Sequence, residues 1–171
     1  MKNKQGFTLL ELLIVLNVLA VLVLIATSSF IPMIQETRLK AVTEELFNAV
    51  QLTRTNAITH NQRVTMRNLG SWELGWEIFL DPDNDGLRSN DEHLILKREA
   101  LKEVQITPNS PVKDYISFIS SGESRKTGSP MGAFQAGTLH VCAQEVQAAQ
   151  ALILSRSGRM RIEKADIGNC P

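Results

Sequence analysis

Residues 2–26 read KNKQGFTLLELLIVLNVLAVLVLIA, and the rest of the chain takes its place from them. From residue 7 to residue 34 there is no Lys or Arg and a single acid, Glu11. As a helix, that run is long enough to cross the ~30 Å hydrocarbon core of a bilayer. Lys2 and Lys4 precede it, and the first charges after it are Glu36, Arg38 and Lys40. Lysines on the amino-terminal side stay in the cytoplasm, so the carboxy-terminal part is expected on the far side of the membrane. A carboxylate within the apolar run costs roughly 2.5 to 3.5 kcal/mol on insertion scales. Glu11 therefore needs a partner, unless it snorkels to the headgroups as in an ordinary signal anchor.

Lys2, Lys4 and the order Gly6-Phe7-Thr8-Leu9-Leu10-Glu11 resemble the leader and mature start of type IV pilins and type II secretion pseudopilins. The resemblance implies cleavage between Gly6 and Phe7 by a prepilin peptidase and N-methylation of Phe7. It also implies that Glu11 meets the new amino terminus of a neighbouring subunit inside a filament. The expected division is a leader at 1–6, a hydrophobic transmembrane and filament-core helix at 7–34, and a periplasmic body at 35–171.

Outside the apolar run, the remaining length suits one domain with a single core. Eighteen basic and eighteen acidic residues balance to a formal net charge of zero, so no global field favours nucleic acid or anionic lipid. The only two cysteines, Cys142 and Cys170, have no zinc-ligand spacing. In an exported chain an isolated pair reads as a disulfide, which would tie down the extreme carboxy terminus.

Beyond the span, Pro32 is expected to kink the helical pattern. Leu39, Val42, Leu46, Val50 and Ala57 then recur near helical spacing with polar residues between them, the mark of an amphipathic helix with one buried stripe. Glu36, Lys40 and Glu44 fall four apart on its solvated face. The helix is expected to end near residues 60–62. Alternating segments follow at 64–67, 74–80, 94–97, 104–107, 115–119, 138–142, 151–154 and 160–163, separated by Gly, Pro, Ser and Asn clusters. One helix followed by consecutive strands gives an α+β fold, with an antiparallel sheet packed on the exported half of the helix. Trp72 and Trp76 are expected to serve packing, Trp72 with an exposed position as the alternative.

Glu45-Leu46, Arg54, Ala57-Ile58, Arg63-Val64-Thr65, Gly75-Trp76-Glu77-Ile78-Phe79-Leu80-Asp81 and Ser157-Gly158-Arg159-Met160-Arg161 narrow the resemblance to the GspH/FimT subgroup of minor pilins and pseudopilins. That subgroup implies a pilin-like fold, other minor and major pilins or pseudopilins as partners, and an inner-membrane protein that moves into a pilus or pseudopilus. The implied role is to initiate or cap a type IV pilus or a type II secretion pseudopilus.

Two local patterns go beyond assembly. Asp81, Asp83 and Asp85 precede Gly86, and Glu92 follows at the spacing of an EF-hand calcium loop, which supplies hard oxygen ligands at alternate positions around a sharp turn. Arg88, however, stands where such loops turn a hydrophobic residue inward, and the loop follows a strand. Asx-rich turns also form without metal; the sequence favours that plain turn, with calcium as the alternative. Arg159 and Arg161 alternate with Met160 and Ile162 along the last strand, placing two guanidinium groups about 7 Å apart on one face. Arg156 and Lys164 are expected to widen the patch. Gly158-Arg159-Met160-Arg161 matches the Gly-Arg-x-Arg motif that FimT-type minor pilins use to hold double-stranded DNA during natural transformation. The competing reading is a solvated edge strand whose positive charges prevent edge pairing. No arrangement of His60, His93, His140 or the cysteines matches a catalytic motif, so the chain reads as a non-enzyme.

Overall fold

The computed structural model describes residues 8–143, 147–166, 168 and 170, with the side chains of 24–29 excepted. One helix, α1 (Leu9–Thr59), runs for 51 residues, roughly 75 Å at the rise of an α-helix. It starts on a capping box. The Glu11 amide donates to Thr8 Oγ1 at 3.2 Å, while the Thr8 amide and hydroxyl both donate to Glu11 Oε2, at 2.9 and 3.0 Å. Pro32 lies inside α1 and does not end it. The C-cap is His60, whose amide donates to the Asn56 carbonyl at 2.9 Å.

Eight strands follow among the described residues: β1 (Val64–Asn68), β2 (Trp76–Leu80), β3 (Leu94–Arg98), β4 (Gln105–Pro108), β5 (Tyr115–Phe118), β6 (Gly137–Ala143), β7 (Ala148–Leu154) and β8 (Met160–Ala165). Each overlaps a segment expected from alternation. The expected strand at 74–80 is shorter, because residues Trp72–Leu74 form a 3-10 turn. The sequence pointed to a sheet; the structure has two. One runs β3-β2-β1-β5, the other β4-β6-β7-β8, and every pairing is antiparallel. Period-two alternation says which face of a strand is buried but not which strand lies beside it, so the split was invisible locally.

The second half of α1 packs against both sheets. Leu39, Val42, Leu46, Val50 and Ala57 are all buried, Leu46 and Ala57 completely. Thr43 and Thr53 share this stripe, and their hydroxyls donate to the carbonyls of Leu39 and Ala49, so neither leaves a polar atom unsatisfied in the core. Around the stripe gather Val64, Met66, Ile78, Ile116 and Phe118 from one sheet and Leu139, Val141, Leu152 and Leu154 from the other. Trp72 and Trp76 are buried as well; the Trp72 indole donates to the Val112 carbonyl at 3.0 Å, which excludes the exposed alternative.

The long connections are held by polar ties. Glu45 of α1 makes a two-pronged ion pair with Arg98 at the end of β3, fixing this edge strand against the helix. Gln135 is fully buried and donates to the Pro111 and Tyr115 carbonyls while its Oε1 accepts from the Ser117 amide. Cys142 on β6 is bonded to Cys170 across a Cα–Cα distance of 6.1 Å, so the carboxy-terminal segment is anchored to the middle of its sheet.

Two measurements check this architecture. Leu46→Ala should lower the unfolding free energy of the full chain in detergent by roughly 3 kcal/mol, whereas Leu16→Ala, on the exposed half of α1, should leave the unfolding of the body unchanged. Replacing both Cys142 and Cys170 with Ser should cost about 3 to 4 kcal/mol for a bridge spanning 28 residues, read as a lower denaturant midpoint with a steeper slope, because the denatured chain expands without the bridge.

Candidate functional site

The amino-terminal half of α1 carries apolar side chains on every face. Leu10, Leu13, Ile14, Leu16, Leu19, Leu22, Phe30 and Ile34 are all more than half exposed. A helix apolar all round is stable only inside lipid or among other helices. Among the described residues no helix is long and apolar enough to cross a membrane. The expected span at 7–34 includes residue 7 and the side chains of 24–29, which lie outside the described residues, as do Gly6 and the expected cleavage point. Glu11 is exposed, and its Oε2 is held by Thr8 in the capping box. The signal for that box, Thr-x-x-Glu at 8–11, is present in the sequence.

The acidic loop begins where β2 ends. The Asp81 amide donates to the Arg63 carbonyl at 3.0 Å, and the Asp81 side chain is fully buried. Oxygens of Asp81, Asp83 and Asp85 all lie within 4.8 Å of one another. Thr65 on β1 donates its hydroxyl to Asp81 Oδ2 at 2.6 Å, whereas Asp81 Oδ1 has no hydrogen-bond partner. Within the loop, the Asp85 amide donates to Asp83 Oδ1 and the Leu87 amide to Asp85 Oδ1. Gly86 turns the chain at a positive φ of 73°, where a Cβ would press on the Thr127 side chain. Glu92 is 9% exposed; its Oε2 accepts from the Ser89 amide at 2.9 Å, and its Oε1 is without a partner. Burial pushes the Asp81 carboxyl above its ordinary range, opposed chiefly by the Thr65 hydroxyl. Burial also raises Glu92, the Ser89 amide opposes it, and the charges of Asp83, Asp81 and Asp85 raise it further.

The residue that sets this loop in place is Arg63, which the sequence offered only as part of the family resemblance, with no role of its own. It is 4% exposed, and its guanidinium donates to Asn84 Oδ1, Ser117 Oγ and the carbonyls of Arg125, Ser129 and Pro130. Burial pulls its pKa down, and the neighbouring Asp81 charge works against that. Arg67 adds a bond to the Gly86 carbonyl at 2.9 Å, and the Gly128 amide donates to the Asn84 carbonyl at 2.6 Å. Arg88 is turned outward into an ion pair with Glu77 on β2, at 3.1 Å. A lone Arg ahead of a strand ordinarily reads as a solvated residue, and its five acceptors come from four separate places in the chain.

The basic patch is smaller than expected. Arg156, Arg159 and Arg161 are exposed. Arg161 is tied to Glu163 at 2.6 Å on the same face of β8, which offsets its charge. Lys164 falls on the opposite face, with Met160 and Ile162, and lines a cleft with Glu36 and Lys40 of α1. It therefore does not widen the arginine patch. Gly158 is explained by the turn between β7 and β8: its φ is 77°, and a Cβ there would overlap the Gly122 carbonyl oxygen. Arg54 of α1 holds both sides of this contact, donating to the carbonyls of Gly122 and Ser157.

Comparison with known proteins follows the same lines. The pattern described as prokaryotic N-terminal methylation motif matches residues 1–27, and that of type II transport protein GspH matches residues 42–158. No curated protein sequence matches the chain. Among solved structures, the type IV minor pilin FimU of Pseudomonas aeruginosa (strain PAO1) superposes with a TM-score of 0.58 at 18% identity, covering 75% of this chain and 90% of FimU. The minor pseudopilin EpsH from the type 2 secretion system of Vibrio cholerae gives 0.51 at 13% identity, covering 73% of this chain and 95% of EpsH. At these identities the likeness is one of fold, the α+β arrangement of a long amino-terminal helix and antiparallel sheets. The GspH pattern, by contrast, spans well over half of the sequence, so the chain belongs to the family of type II transport protein GspH and has the fold of a minor pilin or pseudopilin.

Proposed function

We propose that this chain is a filament subunit that is cut after Gly6, methylated on Phe7, and joined to other pilins or pseudopilins through α1 to initiate or cap a type IV pilus or a type II secretion pseudopilus. The observation that carries this reading is the contrast between the two halves of one helix. The second half is buried by its own two sheets, and the first exposes apolar side chains on all faces. Residues 7–34 act first as a single membrane span, with the body in the periplasm, and then as the packing core of the filament. Affinity comes from helix packing, and register comes from the Glu11 carboxylate meeting the Phe7 amine of a neighbouring subunit. Glu11→Ala should leave membrane insertion intact and reduce co-purification with partner pilins several-fold. Co-purification at the wild-type level would remove the registering role of Glu11.

A second reading, in which the body also holds double-stranded DNA for uptake, is favoured by one observation. Arg156 and Arg159 flank the exposed β7–β8 turn with no carboxylate paired to either guanidinium among the described residues. Contacts of this kind address phosphates, so binding would be indifferent to sequence and steeply weakened by salt. The test is a salt series of duplex binding by the full chain in detergent. Arg159→Ala combined with Arg156→Ala should lower affinity and flatten the slope of log K against log salt by up to about two phosphate contacts. An unchanged slope in the variant rejects these arginines as the phosphate contacts, and no binding by the parent chain at low salt rejects DNA as a ligand.

A further inference from the structure

The acidic loop carries more than a turn needs. An Asx-rich turn is satisfied by its own backbone, and Asp83 and Asp85 do serve that purpose by accepting the Asp85 and Leu87 amides. Asp81 and Glu92 each have one oxygen bonded, Asp81 Oδ2 by the Thr65 hydroxyl and Glu92 Oε2 by the Ser89 amide, and one left over. Asp81 is 0% exposed and contributes an oxygen to the Asp81–Asp83–Asp85 cluster, yet its Oδ1 has no donor. Glu92 closes the loop eleven residues further on, is 9% exposed, and leaves Oε1 without a donor. Buried polar atoms without partners are uncommon in folded proteins, and each calls for an explanation. Here both are carboxylate oxygens, and they belong to residues at the first and last ligand positions of one pattern.

Other potential acceptors in the loop are already used. Asn84 Oδ1 is taken by Arg63 and the Gly86 carbonyl by Arg67. These bonds leave the carboxylates facing one another, with a rigid outer brace behind them. Three carboxylates converge on one turn braced from outside, Glu92 lies close enough to feel their charge, and the cluster lacks a positive charge at its centre. A hard divalent cation supplies that charge and prefers oxygen ligands alone.

We propose that the 81–92 loop binds one calcium ion through the carboxylates of Asp81, Asp83, Asp85 and Glu92, with the Leu87 carbonyl and water completing the shell. Calcium is preferred over magnesium because a loop of mixed carboxylate and carbonyl donors meets the larger ion's flexible coordination of six to eight oxygens, whereas magnesium demands near-ideal octahedral geometry and sheds water reluctantly. The ion ties the end of β2 to the segment leading into β3. It thereby steadies an edge strand that shows Leu94 and Leu96 to solvent and reaches α1 through Arg98.

The experiment uses the full chain in detergent, stripped with chelator. It is titrated calorimetrically with calcium chloride or magnesium chloride, and melted with and without each ion. Calcium should bind at one ion per chain and raise the melting temperature by roughly 5 °C at concentrations about 100-fold above Kd, with magnesium giving a clearly smaller shift. The double variant Asp83→Asn, Asp85→Asn keeps the Oδ1 acceptors of the turn and alters only exposed side chains, so it should fold, melt normally without ion, and lose the calcium response. No binding heat and an unchanged melt in the parent chain would overturn the site. So would an equal calcium shift in the double variant, which would place the ion elsewhere, and an equal response to magnesium would overturn the assignment to calcium.

Discussion

Everything in this fold depends on how α1 is solvated along its length. Between residues 39 and 57 its apolar stripe is enclosed by two sheets, and Leu46 and Ala57 see no solvent at all. Closer to the amino terminus the described side chains of the helix are exposed, and apolar ones point in every direction. One continuous hydrogen-bonded helix therefore passes between two environments, and Thr43 and Thr53 show how strictly the buried half is kept satisfied. The sheets serve as the socket of this helix. Neither would bury its inner face without it, since a four-stranded sheet with one apolar face needs a covering layer.

Much of this was legible because it is written in periodicity. The helical stripe and the eight alternating segments are one-dimensional signals, and the structure honours both. Pairing is not one-dimensional. β5 lies beside β1 while β4 joins β6 in the other sheet, so β4 and β5, neighbours in sequence, end in different sheets. Lys164 shows a different shortfall. The alternation that put Arg159 and Arg161 on one face also puts Lys164 on the other, so the rule was present in the sequence and applied to only part of the strand. Arg63 marks the real limit. Nothing next to it predicts burial; its role exists only because Ser117 of β5 and loops at residues 84, 125, 129 and 130 converge on it.

Arg63 and Asp81 also show how the body tolerates charge. Both are buried, they stand opposite each other one step beyond the Val64–Leu80 pair, and neither forms a direct ion pair with the other among the described residues. The arginine spends its donors on carbonyls, a hydroxyl and an amide oxygen, which immobilises the 125–130 connection against the acidic loop. Removing water from a guanidinium is costly unless all its donors are met, and here each nitrogen has at least one acceptor. The same dry surroundings raise the carboxyls opposite, so the polar interior of this region is balanced only in part by the protein itself.

The amino-terminal end follows a related logic. In a single chain Glu11 already serves as the N3 residue of a capping box, and three bonds bind it to Thr8. Both side-chain bonds fall on Oε2, and among the described residues none falls on Oε1. Under the assembly reading, this removes an apparent conflict between two uses of one carboxylate. The box holds Glu11 Oε2 on Thr8 and caps the helix end, and in the proposed filament the other oxygen would be the one to meet the amine of the next subunit. A Gln at this position would keep the local cap and lose the charge, whereas an Asp would keep the charge on a side chain one methylene too short for the reciprocal bond. Under the proposed assembly, helix initiation would use one oxygen of Glu11 and subunit registration the other.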